Sequence, residues 1–199
     1  MAAVLTRYRE LPGYADTGYV ITRLPGGEHV CKFQTAFNAS GDFRFAFQSP
    51  HPFRPLRHLI SSYVVGRQGG QAYLSRLPHS GGTSVSHWPD ISMAIAAATG
   101  ISCGAAHTIG GLLVPEIGGW AFSDLRRPRL RSPKLVDGVP CYRVTGLQGS
   151  VPVTVYVGIQ DLLIRKFSDR KGKCEEVRLG IDIRTVHAPG LFRAPLAEA

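Results

Sequence analysis

The chain is short of charge, of long apolar runs and of closely spaced metal ligands, and each shortage removes a class of protein. Charged residues make up 19% of its 199 positions and hydrophobic ones 44%, which excludes a disordered or solvating chain. No stretch approaches the roughly 18 consecutive apolar residues of a membrane-spanning helix. The least polar run, 91–114, is broken by Thr99, Gly100, Ser102, His107, Thr108, Gly110 and Gly111. The first ten residues read as an amphipathic helical start and lack the apolar centre of a secretory signal. That leaves a cytosolic protein or a chain without its export signal. Cys31, Cys103, Cys141 and Cys174 lie far apart with no Cys-x-x-Cys pair, and the seven histidines show no His-x-x-x-His spacing. No metal and no cofactor is therefore implied. The four thiols can stay free or pair in three ways, and spacing does not choose.

What is present points to a sheet. Glycine reaches 23 and proline 14, a turn-rich balance in a chain whose length fits one domain over 1–199. After an N-terminal helix within 1–13, alternating segments are predicted as strands at 14–24, 29–39, 43–48, 59–67 and 71–77, with turn residues between them. The clearest is Phe43-Arg44-Phe45-Ala46-Phe47-Gln48, which puts three phenylalanines on one face. The middle changes period. Residues 88–99, with Asp90 near the start and an alanine run, predict a helix ending near Gly100; 103–114 predicts a second helix stopped by Pro115. Strands return at 120–127, 129–136, 139–147, 151–157, 162–168 and 174–186, with Asp137-Gly138 as a two-residue hairpin turn. The tail, 188–199, carries Pro189, Gly190 and Pro195 and is expected to pack loosely through Leu191 and Phe192.

Short connections make neighbouring strands antiparallel. The fold class that follows is α+β: an antiparallel unclosed β-barrel of about eleven strands, with a helical insertion at 88–115 lying over its apolar concave face as a lid. Incomplete filling of such a fold leaves an apolar cavity, whose expected lining is Phe33, Phe37, Phe45, Ile95, Leu112 and Leu113. Gly100, Gly104, Gly110 and Gly111 supply candidate hinges for the lid.

An ordered set of motifs carries a resemblance across nearly the whole chain. It comprises Tyr14-x-Asp16-x-Gly18-x-Val20, Phe33-x-Thr35-x-Phe37, Phe43-Arg44-Phe45, the helices within 91–114, Asp137-Gly138-Val139-Pro140-Cys141-Tyr142-Arg143-Val144-x-Gly146, and Thr154-Val155-Tyr156-Val157 leading into Leu162-Leu163-Ile164-Arg165-Lys166. In this order they resemble the LolA-like lipoprotein carriers. The resemblance implies an eleven-stranded unclosed barrel with helices over its mouth, an extracytoplasmic (periplasmic) location, and binding of an acyl chain or other apolar ligand without chemical change. Those carriers have an Arg-Pro step before the third strand where this chain has Asn38, Ala39, Ser40 and Gly41, so the latch from that arginine to the lid does not carry over. Their aromatic-Ile-Asp step in the later hairpin is here Tyr156-Val157-Gly158.

Other chemistry has weaker support. Gly100-Ile101-Ser102-Cys103-Gly104 matches a nucleophile elbow, but helix formers precede it and no parallel sheet is indicated, so Ser102 is expected to cap the second helix instead. Asp16, Asp42, Asp137 and Asp161 are assigned to turns. The aromatics near Arg44 and Arg67 could stack bases, but they alternate like a core, and no nucleic-acid partner is expected. The net charge of +9 concentrates at Arg126, Arg127, Arg129, Arg131 and Lys134, and again at Arg165, Lys166, Arg170, Lys171 and Lys173. These are solvated sheet edges, with an anionic membrane surface as a candidate partner of Arg126, Arg127, Arg129 and Arg131. The main alternative to a ligand carrier is an interaction module of the same fold with a filled core.

Overall fold

A computed structural model describes residues 1–25, 27–50, 60–77, 82–118, 122–169 and 172–195. The alternating segments form strands β1 (Gly13–Leu24), β2 (Gly27–Asn38), β3 (Phe43–Pro50), β4 (Ile60–Gln68) and β5 (Gln71–Leu77), then β6 (Ser84–Trp88). The second half supplies β7 (Arg126–Val136), β8 (Val139–Gln148), β9 (Val151–Gly158), β10 (Ile164–Asp169) and β11 (Cys174–Asp182). They make one eleven-stranded sheet in the order β6-β5-β4-β3-β2-β1-β11-β10-β9-β8-β7. All its pairs are antiparallel, including β1 with β11. Two meanders thus join through the two ends of the chain. The sheet stays unclosed because the chain leaves edge strand β6 into the helical insertion and re-enters at the opposite edge, β7.

The helices are α1 (Ala2–Arg9), α2 (Ile91–Thr99), α3 (Ala105–Thr108) and α4 (Gly110–Leu113); none is long and apolar enough to cross a membrane. Asp90 caps α2, its Oδ1 accepting from the Met93 N–H at 2.8 Å, which satisfies one free donor of the first turn. The expected single helix over 103–114 is broken. Cys103 and Gly104 take φ of 54° and 86°, so the right-handed helix cannot start before Ala105. Ser102 consequently does not cap it: its hydroxyl donates to the Thr99 carbonyl at 3.2 Å and the residue is buried. Gly110 is a close-packing position, since a Cβ there would stand 3.2 Å from Ile117 Cδ1 and 3.3 Å from the Phe43 ring.

Two further expectations change. The separate strands at 120–127 and 129–136 are a short 3-10 turn, Phe122–Asp124, followed by the continuous β7; Trp120 and Ala121 lie outside the described residues. Strand β6 has no counterpart among the expected elements. Its burial alternates poorly because it is an exposed edge held by pairing with β5.

On the inner face, which the helices cover, the register Phe33↔Phe47↔Tyr63 runs across β2, β3 and β4. Phe33 and Phe45 stack at 5.3 Å between centroids, and Phe47 and Tyr63 at 5.0 Å, within the range of favourable aromatic pairs. This ladder, Ile91, Ala94, Ile95 and Ala98 of α2, and Leu112 and Leu113 of α4 belong to one contiguous core. The tail turns back over the outer face as a 3-10 turn, Pro189–Phe192. Phe192 is fully buried and its carbonyl accepts from the Tyr73 hydroxyl at 2.9 Å. Asn38 and His187 exchange side-chain and backbone hydrogen bonds, both 2.9 Å. These contacts anchor the tail through Phe192, while Leu191 is exposed; residues 196–199 lie outside the described part.

Candidate functional site

Strand register assigns the outer-face side chains to rows. Ala36, Arg44, Gly66 and Tyr73 form one row across β2 to β5, close to the segment carrying Phe192. The next rows lie beyond it: Leu179, Thr17, Gln34, Ala46 and Val64, then Tyr19, Lys32, Gln48, Ser62 and Leu77, then Ile21 and Val30. All of these residues, with Arg44, line a groove of about 710 Å³. That volume falls inside the range of small-ligand sites, about 300–1,000 Å³. The groove crosses the sheet from Leu179 on β11 to Leu77 on β5. Apolar side chains dominate it, with two cations, exposed Lys32 and half-buried Arg44.

The inner face holds an ionic cluster the sequence did not announce. Asp16 is not at a turn: it sits within β1 and is buried, opposite Thr35 of β2. Arg178 of β11 extends beside it, with Nη1 donating to Asp16 Oδ2 at 2.6 Å and Nε to Glu176 Oε1 at 2.7 Å. Its other amino group, Nη2, donates to the Ala105 carbonyl at 3.1 Å, tying β11 to the helical cover. The guanidinium also lies over the Phe33 ring, 4.6 Å from its centroid, a cation–π contact in a desolvated setting. The Tyr14 hydroxyl donates to Asp16 Oδ2 at 2.6 Å, and that of Thr108 to Glu176 Oε2 at 2.7 Å. Burial raises the Glu176 carboxyl above its ordinary range, against the pull of Arg178. Desolvation sets the direction, because the ionised carboxylate loses its water in the interior, and the nearby Asp16 carboxylate adds a smaller push the same way.

A second cavity, about 330 Å³, lies beside this cluster, bordered by Cys103, His107, Thr108, Phe167, Cys174 and Glu176 among others. Cys103 Sγ is 3.4 Å from His29 Nδ1, and His29 Nε2 is 3.2 Å from Ser49 Oγ. All four cysteines are free. Among the described residues no group of three or more His, Cys, Asp or Glu is arranged to hold a metal ion; His51, His58 and His79 lie outside them.

The six residues expected to line an apolar cavity are brought together, but as packing. Phe33, Phe37, Phe45, Ile95, Leu112 and Leu113 are each at most 6% exposed and share one core. Of the six, Phe33 borders the groove, and none borders the smaller cavity. The groove residues escaped sequence reasoning because they occupy the opposite phase of the same strands. The signal was there in Tyr19, Ile21, Val30 and Ala46, apolar residues on the face opposite the phenylalanine ladder. The basic residues Arg126, Arg127, Arg129, Arg131 and Lys134 all lie on β7, exposed and without a carboxylate partner among the described residues. In the second cluster Arg165 pairs with Asp161, and Lys166 with Glu175 at 3.3 Å; Arg170 and Lys171 lie outside the described residues.

No protein-family model matches the chain, and no curated protein matches its sequence. In fold it is similar to the crystal structure of MucB, with a TM-score of 0.53 at 13% identity over 98% of this chain. The chain spans 62% of the MucB chain's length. Weaker similarity reaches LprF from Mycobacterium bovis, with a TM-score of 0.48, 10% identity and 93% of each chain covered. A putative outer membrane lipoprotein-sorting protein domain from Vibrio parahaemolyticus gives a TM-score of 0.39 at 10% identity, covering 96% of this chain and 93% of that one. The likeness to MucB establishes a shared unclosed-sheet fold and nothing about the ligand.

Proposed function

We propose that the protein binds an elongated apolar ligand bearing an anionic group, a lipid or acyl chain, without changing it chemically, and serves as a carrier or sensor outside the cytoplasm. The observation that carries this reading is the outer-face groove of about 710 Å³. Its apolar residues would cover a chain, each buried methylene contributing about 0.8 kcal/mol. Lys32 and half-buried Arg44 would meet the acidic end. The extracytoplasmic placement rests on the motif resemblance. In the same reading Arg126, Arg127, Arg129 and Arg131 on β7 face an anionic membrane surface from which ligand is taken or to which it is delivered.

Titration with a fluorescent fatty acid tests the proposal. Wild type should bind saturably, and Ala46→Glu, which places a carboxylate on the groove floor between Gln34 and Val64, should weaken binding at least about tenfold through desolvation and charge repulsion. Absence of saturable binding by the wild type would refute it. A second reading, an interaction module with a filled core, is favoured by the close packing of the six interior residues; it predicts no saturable binding of the probe.

A further inference from the structure

The sequence leaves the pairing of four cysteines open, and the fold brings two of them to the wall of one cavity. Cys141, on β8, bonds its own strand through the Val139 carbonyl. Cys31 and Cys174 sit on strands flanking β1, opposite Val20 and Thr22. Two strand spacings, roughly 9–10 Å, therefore separate them, beyond the Cα distance of about 4.4–6.8 Å that a disulfide spans. Cys103 is differently placed. It lies in the turn between α2 and α3, and it shares with Cys174 the wall of the 330 Å³ cavity. Its sulfur also contacts His29 Nδ1, and His29 Nε2 contacts Ser49. Two thiols and a base thus converge where the helical cover meets β11.

We propose that Cys103 and Cys174 form a disulfide by exchange with a disulfide oxidant, with Cys103 as the attacking thiol and His29 as its base. Burial pushes Cys174 up to about 11 and raises Cys103 as well, so both are thiols at neutral pH and attack requires a proton acceptor at the sulfur. His29 takes the Cys103 proton; Cys103 Sγ bonds one sulfur of the oxidant, the oxidant's S–S bond breaks, and the first thiol leaves with that proton. Cys174 then attacks Cys103 Sγ of the mixed disulfide and expels the second thiol, which carries away the Cys174 proton. Two protein thiols are oxidised by two electrons and one oxidant disulfide is reduced to two thiols. The product would fasten the α2–α3 joint to β11 covalently, next to the Arg178 bond to Ala105.

This rests on the extracytoplasmic reading only for the supply of oxidant in the cell. A test with purified protein and oxidised glutathione is independent of it and of the groove. After oxidation, denaturing alkylation should label two cysteines instead of four, and peptide mapping should join the Cys103 and Cys174 peptides. Cys174→Ser should abolish the internal crosslink and trap a glutathione adduct on Cys103. Cys141→Ser should crosslink like the wild type, and His29→Gln should slow crosslinking at least about tenfold with far-ultraviolet circular dichroism unchanged. Four labels retained after oxidation, a crosslink mapped to Cys31 or Cys141, or an internal disulfide surviving in Cys174→Ser would each overturn the pairing. An unaltered rate in His29→Gln would overturn the role of His29.

Discussion

Replacing Arg178 by methionine is expected to cost more than any other single side-chain change on the inner face. The guanidinium is 1% exposed and the Asp16 and Glu176 side chains are 0% and 5% exposed, so its removal leaves two buried carboxylates without their cation. Asp16 keeps the Tyr14 hydroxyl and Glu176 keeps that of Thr108, one donor each. Breaking a buried pair from one side costs about 3–5 kcal/mol, a fifth or more of the roughly 5–15 kcal/mol that holds a domain folded. For a chain of this size the thermal midpoint should fall by roughly 6–20 °C. The loss must depend on pH. Without the cation nothing opposes the effect of burial on Glu176, so its carboxyl titrates still further above its unfolded value, and its penalty is absent in acid and grows as pH rises. The deficit should therefore be largest at neutral pH and shrink toward about pH 4. Arg178→Lys keeps the charge but not the fork that serves Asp16, Glu176 and Ala105 together, and should lose about 1–3 kcal/mol. Urea unfolding of the three proteins across pH measures this. A methionine variant within about 1 kcal/mol of wild type at neutral pH, or a deficit that does not vary with pH, would refute the reasoning.

Three other outcomes follow from the same geometry. Because burial raises the folded pKa of Glu176 above its ordinary value of 4.5, its contribution to stability is full below that value and is lost as pH rises through the folded pKa. Glu176→Gln, fixed in the neutral form, should thus gain on wild type between about pH 4.5 and neutrality, and parallel urea curves at both ends of that window would count against it. Gly18→Ala would set its Cβ 2.2 Å from the Val177 carbonyl oxygen and 2.4 Å from the Phe33 ring. A backbone shift is unavoidable, and a loss of about 1–3 kcal/mol is expected; an alanine variant as stable as wild type in thermal melts would contradict the close approach. Finally, changing Arg126, Arg127, Arg129 and Arg131 to glutamine should weaken binding to phosphatidylglycerol vesicles by about two orders of magnitude or more at low salt, at about 1 kcal/mol per cation. Vesicle sedimentation reads this, and equal binding of wild type and variant would remove the membrane-facing role.

Much of the fold was legible because alternation and turn chemistry are local. Phe43 to Phe47 declares its period, Asp90 stands where an N-cap belongs, and Asp137-Gly138 sits at its hairpin, with φ of 49° and 74°. What escaped depends on contacts distant in sequence. Asp16 resembles a turn residue until β1 pairs with β11 and delivers Arg178 to it. The break at Cys103 and Gly104 is a backbone choice that apolar periodicity over 103–114 conceals. Strand β6 carries little pattern because an exposed edge strand needs none. The groove shows the limit most clearly: alternation tells that one face of a strand is buried, but whether the other face meets water, a tail such as the one carrying Phe192, or a ligand is decided by the neighbouring strands.

The most direct test of where ligand sits is photo-crosslinking with a diazirine-bearing fatty acid followed by peptide mapping. Adducts on the segments carrying Tyr19, Lys32, Ala46 and Val64, competed by unlabelled fatty acid, are the expected result. Competed adducts confined to Ile95, Leu112 and Leu113 would place the ligand beneath the helices and contradict the outer-face site.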